Sequence, residues 1–166
     1  MIENFETPAG ALTGGCTCGG IRYRLRASPL FVHCCHCTWC QRETGSVFAV
    51  NALIERAAID VLAGAPVLVE LPSPSGRGQT FARCPECGLT LWSHYALGRE
   101  KIAFVRTGTL DDPAIAPPDI HIYTSTMRPW VVLPAGVAAV PEYYRRADYW
   151  PAHAVARYRA AVAEAN

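Results

Sequence analysis

Cys34-Cys35-His36-Cys37-Thr38-Trp39-Cys40 gathers four of the chain's eight cysteines into one short stretch. The other four form two pairs, Cys16-Thr17-Cys18 and Cys84-Pro85-Glu86-Cys87, each running into a glycine, Gly19 and Gly88. A cysteine pair followed by glycine makes a metal knuckle, because glycine permits the tight turn that aims backbone amides at the sulfurs. Two such pairs, distant in sequence, can close one tetrahedral site of four thiolates. Zinc suits it, being soft enough for sulfur and indifferent to ligand-field geometry. Cys35, Cys37 and Cys40 then remain as a second set. Three protein ligands with an open fourth position distinguish a catalytic zinc from a structural one.

Two other readings compete for the same residues. A disulfide framework would use cysteines at these spacings, but nothing in the chain marks it for an oxidising compartment. A four-cysteine iron–sulfur centre on the central stretch would need Cys34 as its fourth ligand. Adjacent side chains on an extended backbone point to opposite faces, so Cys34 and Cys35 are poorly placed to share one metal.

Composition narrows the class. The chain of 166 residues, half of them hydrophobic, has the length of one domain with its own core and is not of disordered composition. Fifteen basic residues against fourteen acidic ones leave a formal charge of +1, with no basic block to track a nucleic acid. Met1-Ile2-Glu3-Asn4-Phe5-Glu6 has neither the basic region nor the apolar run of a signal peptide, and no later run is long enough to cross a bilayer. The expectation is a cytoplasmic protein with reduced thiols and no nucleic-acid or membrane partner, where clustered cysteines bind metal or catalyse.

The elements that must position these residues are short and punctuated by Gly and Pro. Ile21 to Arg26 alternates strictly, with Ile21, Tyr23 and Leu25 on one face and Arg22, Arg24 and Arg26 on a solvated one. Leu30 to His33 predicts a strand feeding the cysteine stretch, and Thr38 to Thr44 a short helical turn stopped by Gly45. Strands are predicted over Val47 to Leu53, Ile59 to Leu62, Val67 to Leu71, Thr80 to Arg83, Leu89 to His94 and Ile102 to Val105, with His121 to Tyr123 the last. Met127 to Leu133 is expected to be extended and apolar. Ala152 to Ala165, behind Pro151, predicts a terminal helix with Val155, Tyr158 and Val162 on one face, packed on the core or on another subunit of a homo-oligomer. Tyr143, Tyr144, Tyr149 and Trp150 before it are expected to pack. The whole is one mainly β domain over residues 1–166, with a helical C-terminal extension near 151–165.

Taken as an ordered set, these motifs resemble one family. Gly15-Cys16-Thr17-Cys18-Gly19-Gly20-Ile21-Arg22-Tyr23 looks like its opening motif, and Cys35 to Arg42 with Thr44-Gly45-Ser46 like its central one. Phe81 to Gly88, Gly108 to Pro113, and His121-Ile122-Tyr123 with Trp130 follow in the same order. The family is that of the glutathione-dependent formaldehyde-activating enzyme, which also contains centromere protein V-like domains; the resemblance covers about residues 12–135. It implies a β-tent of twisted antiparallel sheets held by zinc knuckles, and two zincs per chain. Cys16, Cys18, Cys84 and Cys87 match its structural ligands, and Cys35, Cys37 and Cys40 its catalytic ones. Cys34 is an additional thiol, and Arg83 stands where an apolar residue is expected.

Three thiolates on a divalent zinc leave a site of net charge −1, a weak Lewis acid whose open position suits a soft ligand such as a substrate thiol. Bound as thiolate, that thiol can add to an electrophilic carbon, or the adduct can be cleaved: carbon–sulfur lyase chemistry. The resemblance implies glutathione as the thiol, formaldehyde as the electrophile and S-hydroxymethylglutathione as the product. His36, Gln41, Arg42, Gly45 and Ser46 are the nearby candidates for steadying the added charge, with His121 and Trp130 implied by family position. The alternative is a zinc-stabilised binding module without catalysis.

Overall fold

In a computed structural model the described residues are 12–95 and 99–163. The expectation for the N-terminal residues and the last residues of the terminal helix lie outside them. Eleven strands among the described residues form two sheets. The smaller is antiparallel and runs β1-β2-β5, from β1 (Leu12–Gly15), β2 (Arg22–Leu25) and β5 (Ile59–Ala63). The larger runs β11-β10-β3-β4-β9-β8-β7-β6. Its strands are β3 (Phe31–Cys35), β4 (Ala49–Glu55), β6 (Val67–Leu71), β7 (Gln79–Arg83), β8 (Thr90–Tyr95), β9 (Ile102–Arg106), β10 (Ile120–Ile122) and β11 (Ala138–Ala139). The chain is mainly β, with a terminal helix α3 (Ala152–Ala163) after a single turn, α2 (Arg146–Tyr149). No helix among the described residues is long and apolar enough to cross a membrane.

Alternation along the large sheet divides the core in two. Val32, Ala52, Ile54, Ala103 and Val105 point to one face, where Ile21, Tyr23 and Leu25 of the small sheet meet them around the buried Trp92. Phe31, Leu53 and Ile102 point to the other face, onto Trp150, Ala154 and Tyr158. Period-two placement therefore sends neighbouring residues of one strand into different cores. Each fully buried large side chain contributes about 1.5–3 kcal/mol through removal of apolar surface from water. Val155 and Val162 sit partly buried beside Tyr158 on that second core, so the apolar face of α3 packs on its own chain.

The predicted alternation over Ile21 to Leu25 holds, with all three apolar residues buried. Its arginines are solvated but paired: Arg22 with Asp111, Arg24 and Arg26 with Asp60. Three expectations need correction. The large sheet is not wholly antiparallel, because β10 runs parallel to both β3 and β11. The strand ends at Ile122, since Tyr123 takes φ 55°, a left-handed turn no sequence pattern announces for a tyrosine. Met127 to Leu133 forms no strand; Trp130 and Val132 are 68% and 90% exposed, and Val131 N–H closes a turn onto the Arg128 carbonyl. An apolar run can be chosen for a turn when no facing strand is left to cover it.

Candidate metal and catalytic site

The two knuckles repeat one backbone device on two different sheets. Cys16 N–H donates to the Ile21 carbonyl at 3.1 Å, and Cys84 N–H to the Leu89 carbonyl at 3.0 Å, five residues on in each case. Gly19 at φ 78° and Gly88 at φ 71° make the turns, in a region where a Cβ is strained. The first knuckle lies between β1 and β2, the second between β7 and β8. Their four sulfurs lie within 4.8 Å of one another, with Cys16–Cys18 at 3.4 Å and Cys18–Cys84 at 3.6 Å. Cys16 and Cys84 are buried and Cys18 and Cys87 exposed, so the cluster caps the seam between the sheets from outside. Ile21 N–H donates to Cys16 Sγ at 3.1 Å. The Leu89 N–H is the largest of the contacts that draw the exposed Cys87 thiol down to about 6.

Cys35, Cys37 and Cys40 come together locally. Cys35 ends β3, and the following helix α1 (Thr38–Thr44) starts on Cys37, whose sulfur accepts the Cys40 N–H at 3.3 Å as its cap. Gly45, at φ 64°, stops the helix as its sequence position predicts. The three sulfurs lie within 4.8 Å of one another. Contacts from Cys35 and Cys40 favour the Cys37 thiolate and pull its pKa down, while contacts from Cys37 and Cys40 push Cys35 up. Three thiols that cannot ionise together in apposition are a donor set fitted to a divalent cation, which would release their protons.

These sulfurs form one wall of a cavity of about 290 Å³. Other walls include Asn51 on β4, Gln79 on β7, Ser93 on β8, Phe104 and Arg106 on β9 and Tyr143, all outside the motifs, together with Tyr123 from the last of them. Trp39 Nε1 donates to Gln79 Oε1 at 3.2 Å, and Gln79 Nε2 to Ser93 Oγ at 2.9 Å. Arg106 donates to Asn51 Oδ1 at 2.5 Å and to Glu43 of α1. Glu43 also receives Arg83 at 3.2 Å and the Thr90 hydroxyl at 2.9 Å. The unexpected Arg83, next to Cys84, thus connects the second knuckle to the helix that carries Cys40.

None of the seven residues expected to meet the substrate lines this cavity. His36 and His121 are buried on the opposite face of β3 and β10, with His36 Nε2 3.0 Å from His121 Nδ1. Strand alternation turns His36 away from the sulfurs on either side of it. Gln41 is consumed by the backbone, its Nε2 donating to the His36 and Thr126 carbonyls at 2.6 and 3.0 Å. Arg42, Gly45, Ser46 and Trp130 border a separate, shallow depression on the outer side of α1. The residues that do line the cavity could have been suspected only where a polar side chain interrupts an apolar strand, as Asn51 does. Of the four aromatic residues expected to pack, Tyr144 and Trp150 do so against Phe31, with Trp150 Nε1 donating to Tyr144 Oη at 2.6 Å, whereas Tyr143 lines the cavity.

The fold and these cysteines define a mainly β protein with thiolate groups able to hold metal, one of them opening on a cavity. The chain belongs to the glutathione-dependent formaldehyde-activating enzyme family, whose model matches residues 11–126. It is 31% identical over 100 residues to a Penicillium rubens protein, covering 55% of this chain and 50% of that one. An Emericella nidulans protein is 31% identical over 85 residues, covering 51% and 42% respectively. Both carry the family enzyme's name as a provisional assignment, and the chain spans about half the length of these curated relatives. A crystal structure of a Rhodobacter sphaeroides protein superimposes with a TM-score of 0.47 at 19% identity, over 60% of this chain and 88% of that one.

Proposed function

We propose that the chain is a zinc-dependent enzyme of thiol-adduct chemistry, joining a small thiol, glutathione in the family's case, to formaldehyde, or cleaving the adduct as a carbon–sulfur lyase. The observation that carries this reading is the three-sulfur group of Cys35, Cys37 and Cys40 opening on a cavity, with no fourth protein ligand among the described residues. Cys16, Cys18, Cys84 and Cys87 would hold a structural zinc, and Cys35, Cys37 and Cys40 a second. A zinc there would favour the thiolate form of an incoming thiol.

The chain's own residues have the remaining tasks. Cys35, Cys37 and Cys40 give up their thiol protons and present three sulfurs to one point. Trp39, Phe104 and Tyr123 exclude water from the cavity side of that point, which strengthens every charge interaction within it. Arg106 supplies positive charge at the cavity wall, held in orientation by Glu43 and Asn51. In the forward direction the sulfur–carbon bond forms as the carbonyl π bond breaks, and the proton lost by the thiol ends on the new hydroxyl. The reverse reaction returns free thiol and aldehyde.

Thiol binding should release a proton, since the ligand enters as thiolate. Apparent affinity for glutathione should rise with pH and level off above a free-thiol pKa of about 8.5. Calorimetry in buffers of different ionisation enthalpy counts that proton, and S-methylglutathione is the control. Equal binding of the thiol and its S-methyl derivative, with no proton released, would sink thiol ligation.

A further inference from the structure

We propose that Cys34, His36 and His121 form a third metal centre, buried behind the three-cysteine group and suited to a soft d¹⁰ ion. Strand alternation builds it. Along residues 34–37 the side chains go alternately to two faces, so Cys35 and Cys37 join one sulfur group while Cys34 and His36 turn together to the other side. On β10, His121 is the cross-strand partner of Cys34, which brings its ring to that same face. Cys34 Sγ, His36 Nε2 and a His121 ring nitrogen lie within 4.8 Å of one another.

The spacings are those of ligands around one ion. Zinc bonds of roughly 2.0–2.1 Å to nitrogen and about 2.3 Å to sulfur give tetrahedral edges of about 3.3 Å between nitrogens and about 3.5 Å between nitrogen and sulfur. The observed edges are 3.0 Å for His36 Nε2 to His121 Nδ1 and 3.6 Å for Cys34 Sγ to His36 Nε2. Hydrogen bonding alone satisfies this group poorly. His36 Nε2 faces both the sulfur and the second imidazole, so a proton it donates to His121 Nδ1 leaves the Cys34 thiol without an acceptor there. A metal ion takes a lone pair from all three atoms at once.

Burial bears on which ion. Cys34, His36 and His121 are 1%, 0% and 6% exposed. One thiolate and two neutral imidazoles carry charge −1. A monovalent ion makes the centre neutral, whereas zinc leaves +1 in a dry interior, at a desolvation cost. Thiolate and imidazole both suit copper(I), and charge balance favours it over zinc(II). Either ion would enter during folding, and would tie residues 34 and 36 to β10. The backbone that presents Cys35 and Cys37 would then be braced from behind, alongside the His36 N–H bond to the Ile122 carbonyl at 3.0 Å.

The test uses the full chain, saturated in parallel with zinc(II), with ¹¹³Cd(II) and, after zinc loading, with copper(I). Three ions per chain are expected, with histidine ¹⁵N resonances showing His36 Nε2 and His121 Nδ1 metal-bound. Cys34→Ser and His121→Gln should each lower the count from three to two and leave the two all-sulfur ¹¹³Cd resonances in place. If a variant fails to fold, the wild-type nitrogen spectra decide alone, because they report the two atoms directly. Uptake of zinc or of copper(I) at those nitrogens supports the centre. Two ions at most, with His36 and His121 showing the shifts of a neutral hydrogen-bonded pair under every metal, overturn it. That outcome would leave the three-cysteine reading intact, since proton release on thiol binding is measured separately.

Discussion

Cys18 and Cys84 are 66 residues apart and meet only because two sheets meet, whereas Cys35, Cys37 and Cys40 are brought together by a strand end and the first turn of a helix. The four-cysteine cluster joins the small sheet to the large one, and its two inner sulfurs belong to the core. The three-cysteine group joins nothing distant, and its three sulfurs line a cavity. The difference teaches what an ion at each cluster could contribute. An ion closing a long loop between sheets stabilises the fold by the restriction it imposes on the open chain. An ion held within one turn stabilises little beyond that turn and keeps a face for chemistry.

The sharpest way to break this comparison is to remove one inter-sheet sulfur. Cys84→Ser should cost on the order of 10 kcal/mol, the scale of structural zinc in small zinc domains, and yield an unfolded or aggregating chain. Denaturant titration with and without a chelator checks it; the chelator should act on the wild type and do nothing more to the variant.

Cys37→Ser should do the reverse. The serine oxygen can still cap α1, so the melting temperature should move by only a few degrees, for a loss of about 1 kcal/mol. The proposed catalysis of S-hydroxymethylglutathione formation should fall by roughly a thousandfold, as for loss of a group that acts only as part of a unit. Product formation followed by NMR above the spontaneous rate is the measurement. Comparable unfolding by both substitutions would erase the distinction between the two clusters.

Glu43→Gln addresses the bridge between them. Its carboxylate is 6% exposed and takes Arg106 and Arg83 together, with the Arg106 side chain 10% exposed. Removing one buried charge from such a set costs about 3–5 kcal/mol, because the partner is left uncompensated. Stability should drop by that amount and thiol affinity should drop with it, since Arg106 loses its orientation at the cavity wall. A stability loss with unchanged thiol affinity would show that the bridge serves the knuckle side only.

The smallest effect concerns a residue remote from both clusters. His94 is buried against the Ile102 carbonyl, at 3.0 Å from Nδ1, and burial lowers its pKa below the usual imidazole value of about 6.5. The unfolded chain therefore takes up this proton first. The stability His94 contributes is complete above about pH 6.5 and is lost as pH falls below it, at up to about 1.4 kcal/mol per pH unit. His94→Gln should flatten the fall in unfolding free energy between pH 6.5 and the folded-state pKa, without changing metal content.

Much of this could be read before any coordinates. Alternation in Ile21 to Leu25, the run Val67–Leu71, and α1 over Thr38–Thr44 with its Gly45 stop all emerge as their local patterns predict. Such features depend on contacts a few residues long, which propensity and periodicity describe. β11 was not legible: Ala138–Ala139 carries no strand signal and is extended because it lies along β10. His36 and His121 were visible as residues but not as a pair, since only the parallel register of β10 on β3 sets one ring against the other.

By itself, then, the sequence determined the two knuckles, the local grouping of Cys35, Cys37 and Cys40, the β character and the terminal helix, because each rests on spacing within a knuckle, a strand or a turn; that the two knuckles meet was decided by the sheets. Tertiary structure alone decided which side chains line the cavity, that Glu43 ties Arg83 to Arg106, and that Cys34 faces two imidazoles. Apart from Cys34 and His36, those contacts join residues dozens of positions apart, and the register of neighbouring strands selects them. A one-residue slip in that register would send the strand-borne side chains among them to the opposite face.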